Sequence, residues 1–297
     1  MSSDITLTTG EWAAAHSPVV VGIDGSEGST SALDWAAREA ARSGADLQLV
    51  AVVEQRHVPR FPLRLGHDEA VKLLDRLATS VQDRVPATQV STEVYEGHAA
   101  AAILEHLDHA RLVVVGKRGL SALPRLIVGS TSLAIAGRAT VPAAVVPTGW
   151  DESAHQDGPI VVGIDPYRES RRLLQLAFRR AERLDVPLVA VHGWEAPSAP
   201  VWTDSPIDEW ERESHEEFHA VLRPWQERFP AVDVRPVTSS HHPAVAVLDE
   251  AEKHGGKLVV LGRRSSNRVL GFPFGSVTRA VLHYSTVPVL VVPTTED

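Results

Sequence analysis

The chain has 297 residues and a formal net charge of −9, with no long basic run, which argues against a nucleic-acid partner whose phosphates demand clustered Lys and Arg. It has no cysteine, so disulfides, thiolate catalysis and zinc–thiolate sites are excluded, in keeping with a reducing cytoplasm. No run reaches the ~18 consecutive apolar residues of a membrane span, and the N-terminus lacks the basic-then-apolar form of a signal peptide, so a cytoplasmic protein with no membrane partner is expected.

Residues 1–17 read as a loose tail. Val19–Ile23 is a β-branched run suited to a strand buried on both faces. The spacing of Ala32, Leu33, Ala36 and Ala40 predicts a helix over 29–42. A second strand follows over 47–53, and Val71, Leu74, Leu77 and Val81 predict a helix over 69–85. Residues 89–95 alternate polar and apolar, the pattern of an edge strand. A helix over 99–107, a strand over 112–115, a helix over 132–138 and a closing strand over 143–146 complete the series. Alternation of this kind argues for a parallel sheet with helices on both faces. Ligands of such sheets lie at the carboxyl ends of the strands, where the strand order reverses. The loops after Ile23 and Val115 are therefore the candidates.

The whole pattern occurs twice. VVVGIDGSEGS at 19–29 matches IVVGIDPYRES at 160–170, and LVVVGKRG at 112–119 matches LVVLGRRS at 258–265. TVPAAVVP at 140–147 matches TVPVLVVP at 286–293. The chain thus divides into two copies, 18–148 and 159–294, joined by a polar, unpatterned linker at 149–158. The closing strands offer apolar edges able to pair between copies or between chains.

Between strand and helix in the first copy stands GKRGLSALPRLIVGS, residues 116–130, with Gly116, Gly119 and Gly129 followed by Ser130. The second copy repeats the spacing at Gly262, Gly275 and Ser276, with Ser265 in place of the middle glycine. Glycines between a strand and a helix let bare backbone N–H groups approach an anion at a helix N-terminus.

This arrangement, Gly116-x2-Gly119-x9-Gly129-Ser130, resembles the ATP-binding signature of the universal stress protein family. VGIDGSEGS and the closing TVPAAVVP also resemble that family, and the resemblance covers ~18–148 and ~159–294, nearly the whole chain. It implies two tandem Rossmann-like domains of the adenine nucleotide alpha hydrolase-like type, each a five-stranded parallel sheet flanked by helices. It also implies ATP as ligand, with Mg as a candidate companion ion. Carried onto this chain, Asp24 meets the ribose or the adenine edge, Val52 contacts adenine, and Val115 and Gly116 line base and ribose. Gly119, Gly129, Ser130 and Thr131 hold the phosphates. The corresponding positions of the second copy are Asp165, Gly193, Leu261, Gly262, Gly275, Ser276 and Val277. There Pro166 and Tyr167 follow the aspartate, Gly193 stands in the place of Val52, and a serine at 265 is disfavoured if the position needs a positive φ. The expected function is a nucleotide-linked stress-response sensor or regulator with an unidentified regulatory protein partner. The expected assembly is an intramolecular pseudo-dimer or a homo-oligomer.

Plainer readings stand beside these. Asp24 serves equally as a turn or helix-cap residue, and the glycines as a tight connection without a ligand. The competing function is accordingly a structural or interaction protein of the same fold that binds no nucleotide. Lys117 and Arg118 either add charge at the site or are solvated. Pro124 shapes the loop. His215-Glu216-Glu217-Phe218-His219 matches H-E-x-x-H. The apolar stripe Ile207, Trp210, Phe218, Val221, Leu222 and Trp225 puts His219 off the buried face and His215 at its edge, so no metal site is assigned. His241 and His242 read as surface, and Trp194, Trp202 and Trp210 as core or interface. Neither S-G-G-x-D-S nor a Walker lysine motif is present, and no residue near the site reads as a base or nucleophile. Catalysis is limited to slow ATP hydrolysis at most.

Overall fold

The computed structural model describes residues 17–53, 66–119, 128–167, 171–194, 207–263 and 275–293, the side chains of 207–211 excepted. The first copy runs β1 (Val19–Ile23), α1 (Glu27–Ser43), β2 (Leu47–Val53), α2 (His67–Arg84), β3 (Val90–Glu96), α3 (Ala99–Leu104), β4 (Leu112–Gly116), α4 (Ser130–Arg138) and β5 (Ala143–Val146). The second runs β6 (Ile160–Gly163), α5 (Arg171–Leu184), β7 (Leu188–Gly193), α6 (Ile207–Arg228), β8 (Val234–Ser239), α7 (Pro243–Lys253), β9 (Leu258–Arg263), α8 (Ser276–Tyr284) and β10 (Val289–Pro293). The sequence periodicity located the first copy's elements to within a few residues. Helices α1 and α4 each begin two residues earlier than the apolar spacing marks, because their first turns are polar.

Within each copy the strands are parallel, in the orders β3-β2-β1-β4-β5 and β8-β7-β6-β9-β10. The order reverses between β1 and β4, and again between β6 and β9. The two sheets then join edge to edge. β5 and β10 pair antiparallel, so that one ten-stranded sheet crosses the molecule. Ala144 lies opposite Leu290, its own counterpart in the repeat, which puts a pseudo-twofold axis through that pair.

Parallel strands covered on both faces must be apolar throughout, and these are. Val19, Val113, Ile160, Val161, Val259 and Leu290 are all fully buried. One apolar layer packs α1, α2, α5 and α6 against the sheet through Leu33, Leu74, Phe178 and Phe218. The opposite layer packs α3, α4, α7 and α8 through Ile103, Ile135, Val247 and Leu282. Among the described residues no helix is long and apolar enough to cross a membrane.

The linker is pinned. Its residues Glu152–His155 form a short 3-10 helix, and Trp150 stacks on His155 at 4.4 Å. Glu152 is buried and meets Arg42 at 2.8 Å, Arg38 at 3.4 Å and Lys257 at 3.7 Å. A polar, unpatterned stretch of sequence thus hides a charged hub between the copies.

Candidate functional site

The reversal between β1 and β4 places a cavity of about 120 Å3 at the carboxyl ends of β1, β2 and β4. All eight first-copy positions singled out from the sequence border it: Asp24, Val52, Val115, Gly116, Gly119, Gly129, Ser130 and Thr131. Ile23, Val50, Ala99 and Ile103 complete an apolar wall. The sequence analysis missed these four. The signal for them was their place on β1, β2 and α3, beside the strands that carry Val52 and Val115.

Each polar group is held by local chemistry. The Asp24 Oδ1 accepts from the Ser26 N–H at 3.0 Å and from the Ser26 hydroxyl at 2.6 Å, an Asx turn that leads the chain from β1 into α1. Capping of α1 falls to Ser26, whose hydroxyl accepts from the Ser29 N–H at 3.1 Å. Asp24 is therefore the turn residue and not the cap, and its Oδ2 lies against Gly119, where a Cβ would collide with it.

The glycines do different work. A Cβ on Gly28 would strike the Arg118 carbonyl oxygen, and one on Gly116 would stand 2.5 Å from the backbone of Gly28. These two glycines let the start of α1 press on the end of β4, so their bareness is a packing requirement. Gly129 is unlike them. A Cβ there would find the Ser132 hydroxyl at 3.4 Å and nothing closer, and its φ of −71° is open to any residue. Nothing in the packing demands a glycine at 129.

Gly129 is also the N-cap of α4, and no side chain caps that helix. Its own N–H donates to the Lys117 carbonyl at 2.8 Å. The N–H groups of Ser130, Thr131 and Ser132 form the first turn, where the helix itself supplies no acceptors. The positive end of the helix dipole lies there as well. Ser132 has turned its hydroxyl away, donating to the Gly116 carbonyl at 2.7 Å. The exposed hydroxyl belongs to Ser130. An apolar slot, a carboxylate and an uncapped helix N-terminus therefore converge on one cavity, which suits a flat heterocycle bearing hydroxyls and an anion.

Lys117 does not line the cavity and is half-buried. Its Nζ crosses to the second copy and donates to the Ser285 carbonyl at 2.7 Å, and burial lowers its pKa to about 8, with Arg118 adding repulsion.

The second copy keeps the frame with different residues lining it. The Asp165 Oδ1 accepts from the Tyr167 N–H at 3.3 Å, repeating the Asx turn, and the Thr278 hydroxyl donates to the Gly262 carbonyl at 3.3 Å, repeating Ser132. Gly275 caps α8 without a side chain, and Ser276 and Val277 open its first turn. The Val277 side chain packs into the core, which leaves only its backbone for the site. Leu261 is buried in the place of Val115, and a Cβ on Gly193 would sit 2.6 Å from the Pro243 Cα. The backbone at the start of α7 thus leaves no room for a side chain at the position that Val52 holds in the first copy. Ser265 and Pro124 lie outside the described residues.

The remaining motifs have local explanations. His215 and His219 share a helix face, with ring centroids 4.3 Å apart, and the His215 Nδ1 lies 3.1 Å from the Thr238 hydroxyl. Among the described residues no group of three or more His, Asp or Glu converges as a metal site. His241 is exposed, whereas His242 is half-buried and caps α7, its Nδ1 accepting from the Ala244 N–H at 3.2 Å. Trp194 has its indole N–H buried, Trp202 lies outside the described residues, and Trp210 lies within α6.

Comparison with known proteins agrees with the repeat and the fold. The universal stress protein family model matches residues 16–147 and again 158–293. A universal stress protein of Mycolicibacterium smegmatis is 33% identical over 290 residues, 92% of this chain and 96% of that one. One from Mycobacterium tuberculosis is 30% identical over 286 residues, with 92% and 96% covered. The crystal structure of a universal stress protein from Archaeoglobus fulgidus superposes with a TM-score of 0.70, covering 95% of this chain and 98% of that one at 18% identity, which speaks for the fold alone. With the family's domain matched twice and relatives aligned nearly end to end, this chain belongs to the universal stress protein family.

Proposed function

We propose that this protein binds an adenine nucleotide, ATP in the first instance, in the cavity of its first copy, and that it acts as a nucleotide-linked regulator. The observation that carries the reading is the uncapped N-terminus of α4, which opens onto the same cavity as Asp24 and a glycine that packing does not require. Adenine lies between Val52 and Val115, and Asp24 accepts from ribose hydroxyls. The N–H groups of Ser130 and Thr131 and the Ser130 hydroxyl donate to phosphate oxygens. Mg enters as the counter-ion of the triphosphate. The second copy is the weaker site, because Leu261 and the α7 backbone against Gly193 take space that the first copy leaves open. No catalytic group is assigned, and the output is a change in the surface that a partner protein reads.

The test uses protein purified under native conditions, denatured, and its supernatant chromatographed for adenine nucleotides; a parallel titration with ATP covers loss during purification. ATP is expected in the wild type and not in the first copy of Gly129→Asp, whose carboxylate would face phosphate. The Gly129 site has room for a side chain and aspartate is a favoured N-cap, so the variant is expected to melt no lower than the wild type. Unchanged retention in that variant sinks the site assignment. A wild type that neither carries nor binds ATP favours the competing reading, a scaffold that presents surfaces without a nucleotide.

A further inference from the structure

Two cations cross the pseudo-twofold axis, and they do so reciprocally. The Lys117 Nζ, at the end of β4 in the first copy, donates to the Ser285 carbonyl at 2.7 Å. Arg263, its counterpart at the end of β9, donates from Nη1 to the Ala139 carbonyl at 2.7 Å. Ala139 and Ser285 are themselves counterparts, and they are the C-caps of α4 and α8. Both cations are half-buried, and burial lowers the pKa of each. The last carbonyls of a helix carry its negative pole and lack partners within the helix, so a donated cation there both satisfies a carbonyl and complements the dipole. The helices so treated are the two whose N-termini face the candidate phosphate positions. They are short, nine residues each, and their first turns have no side-chain cap. A short helix uncapped at the working end depends on its other end for its placement.

We propose that each copy's phosphate-facing helix is held in place by a cation of the other copy: Arg263 positions α4 for the first site and Lys117 positions α8 for the second. The two sites are then coupled through the backbone as well. The Lys117 carbonyl accepts from the Gly129 N–H at 2.8 Å, so the residue that braces α8 is also the one that sets the start of α4. Order imposed on the first site by a ligand passes to α8 through a single residue, which makes Lys117 a transmission element and Arg263 a positioning residue 124 positions away in sequence from the carbonyl it holds. A homodimer of single-domain chains would carry the same cation on both sides. Here the tandem chain has made the two struts unequal, an ammonium toward the second copy and a guanidinium toward the first.

The functional half of this inference rests on the nucleotide reading; the mechanical half does not. The experiment uses the full chain carrying Gly275→Asp, so that titrated ATP reports the first site alone, and compares it with the same chain carrying Arg263→Met or Arg263→Lys. Calorimetry gives the ATP affinity, and amide hydrogen exchange without nucleotide gives the protection of residues 130–138. Arg263→Met is expected to weaken ATP binding roughly fivefold, within the range a helix-end charge commands, and to speed exchange in α4 although the substitution lies in the other copy. Arg263→Lys restores both. Unchanged exchange in α4, or a failure of lysine to rescue, overturns the strut. Faster exchange with unchanged ATP affinity overturns its service to the site. If the parent chain binds no ATP, the nucleotide reading falls, and the exchange data alone then decide the strut. Should Arg263→Met fail to fold, Lys117→Met in a Gly129→Asp background puts the same question to α8, with the same outcomes.

Discussion

Glu39 of α1 and Arg180 of α5 hold the same position in their two copies, 141 residues apart, and they meet across the pseudo-twofold axis in a two-pronged ion pair of 2.8 and 3.0 Å. Both side chains are only 7% exposed, Arg183 adds a second guanidinium at 2.8 Å, and Arg180 lies 5.6 Å over the Trp35 ring. A residue on a symmetry axis meets its own copy. In a homodimer built from the first copy, this place would hold two buried carboxylates. Duplication within one chain has allowed the two sides to become complementary, and the ion pair specifies that the first copy closes on the second.

Replacing Arg180 by methionine leaves Glu39 buried with Arg183 in contact and Arg111 farther off to answer it, and should cost about 3 kcal/mol, the lower end for breaking a buried pair. Arg180→Glu should abolish folding at ordinary temperature, and Glu39→Arg with Arg180→Glu should recover most of the loss. Thermal melts of the single and double variants check this. A charge-reversed double variant no more stable than Arg180→Glu alone would show that the pair does not set the interface.

The same pair gives the protein an acid limit. Burial pushes the Glu39 carboxyl up, but Arg180 and Arg183 outweigh it and leave its pKa below the usual 4.5. A carboxyl held lower in the folded than in the unfolded chain stabilises the fold above the unfolded value, and that contribution drains away as pH falls through the folded one. Wild type should therefore lose stability below pH 4.5 more steeply than the variant Glu39→Gln with Arg180→Met. Melts between neutral pH and mildly acidic pH compare the two slopes.

Much of this was legible beforehand because β-branched runs and helical spacing state their burial directly. Val19–Ile23 and Leu47–Val53 are the observed strands to the residue. The glycine spacing located the cavity, but spacing cannot say why each glycine is bare. Gly116 and Gly28 are bare because α1 presses on β4, while Gly129 is bare with room to spare. The charged contacts between the copies left no sequence signal. Lys117 reads as a charge at the site or a solvated one and Glu152 as linker polarity, because Ser285 and Lys257 stand 168 and 105 positions away and only the closing of β5 on β10 brings them near.

The glycines should separate under substitution. Gly28→Ala and Gly116→Ala each drive a methyl into backbone and should cost about 1–3 kcal/mol, the range for overpacking. Gly129→Ala should be nearly neutral in stability and weaken nucleotide binding only by crowding the phosphates. Denaturant unfolding beside ATP titration makes the comparison. Equal destabilisation at all three positions would show that position 129 is as crowded as the other two.

Glu152 should behave as a core residue despite its place in the linker. Glu152→Ala removes the acceptor shared by Arg42 and Arg38 and leaves the Lys257 ammonium beside them with the Gln156 carbonyl, at 2.7 Å, and the more distant charge of Asp157. A loss of about 1–3 kcal/mol is expected, the cost of stranding buried charge partly open to water. It should come with faster proteolysis between the copies. A limited digest resolving the two halves tests this, and wild-type resistance would assign the hub no structural role.

Lys117 supplies an alkaline signature that distinguishes it from the Arg263 strut. Burial, first, and the neighbouring Arg118 lower its pKa from 10.5 to about 8. A lysine held lower in the folded chain is penalised while it is charged. Between pH 8 and 10.5 the unfolded chain keeps a proton that the folded chain has released, so stability rises with pH across that window relative to a chain without the group. The neutral amine still donates an N–H to the Ser285 carbonyl, so the brace survives deprotonation while the charge repulsion ends. Wild type should therefore gain on Lys117→Met as pH rises from 7 to 10, whereas Lys117→Arg, charged throughout, should show no such gain. Parallel stability curves for wild type and Lys117→Arg over that range would mean that the ammonium is not buried at the seam between the copies.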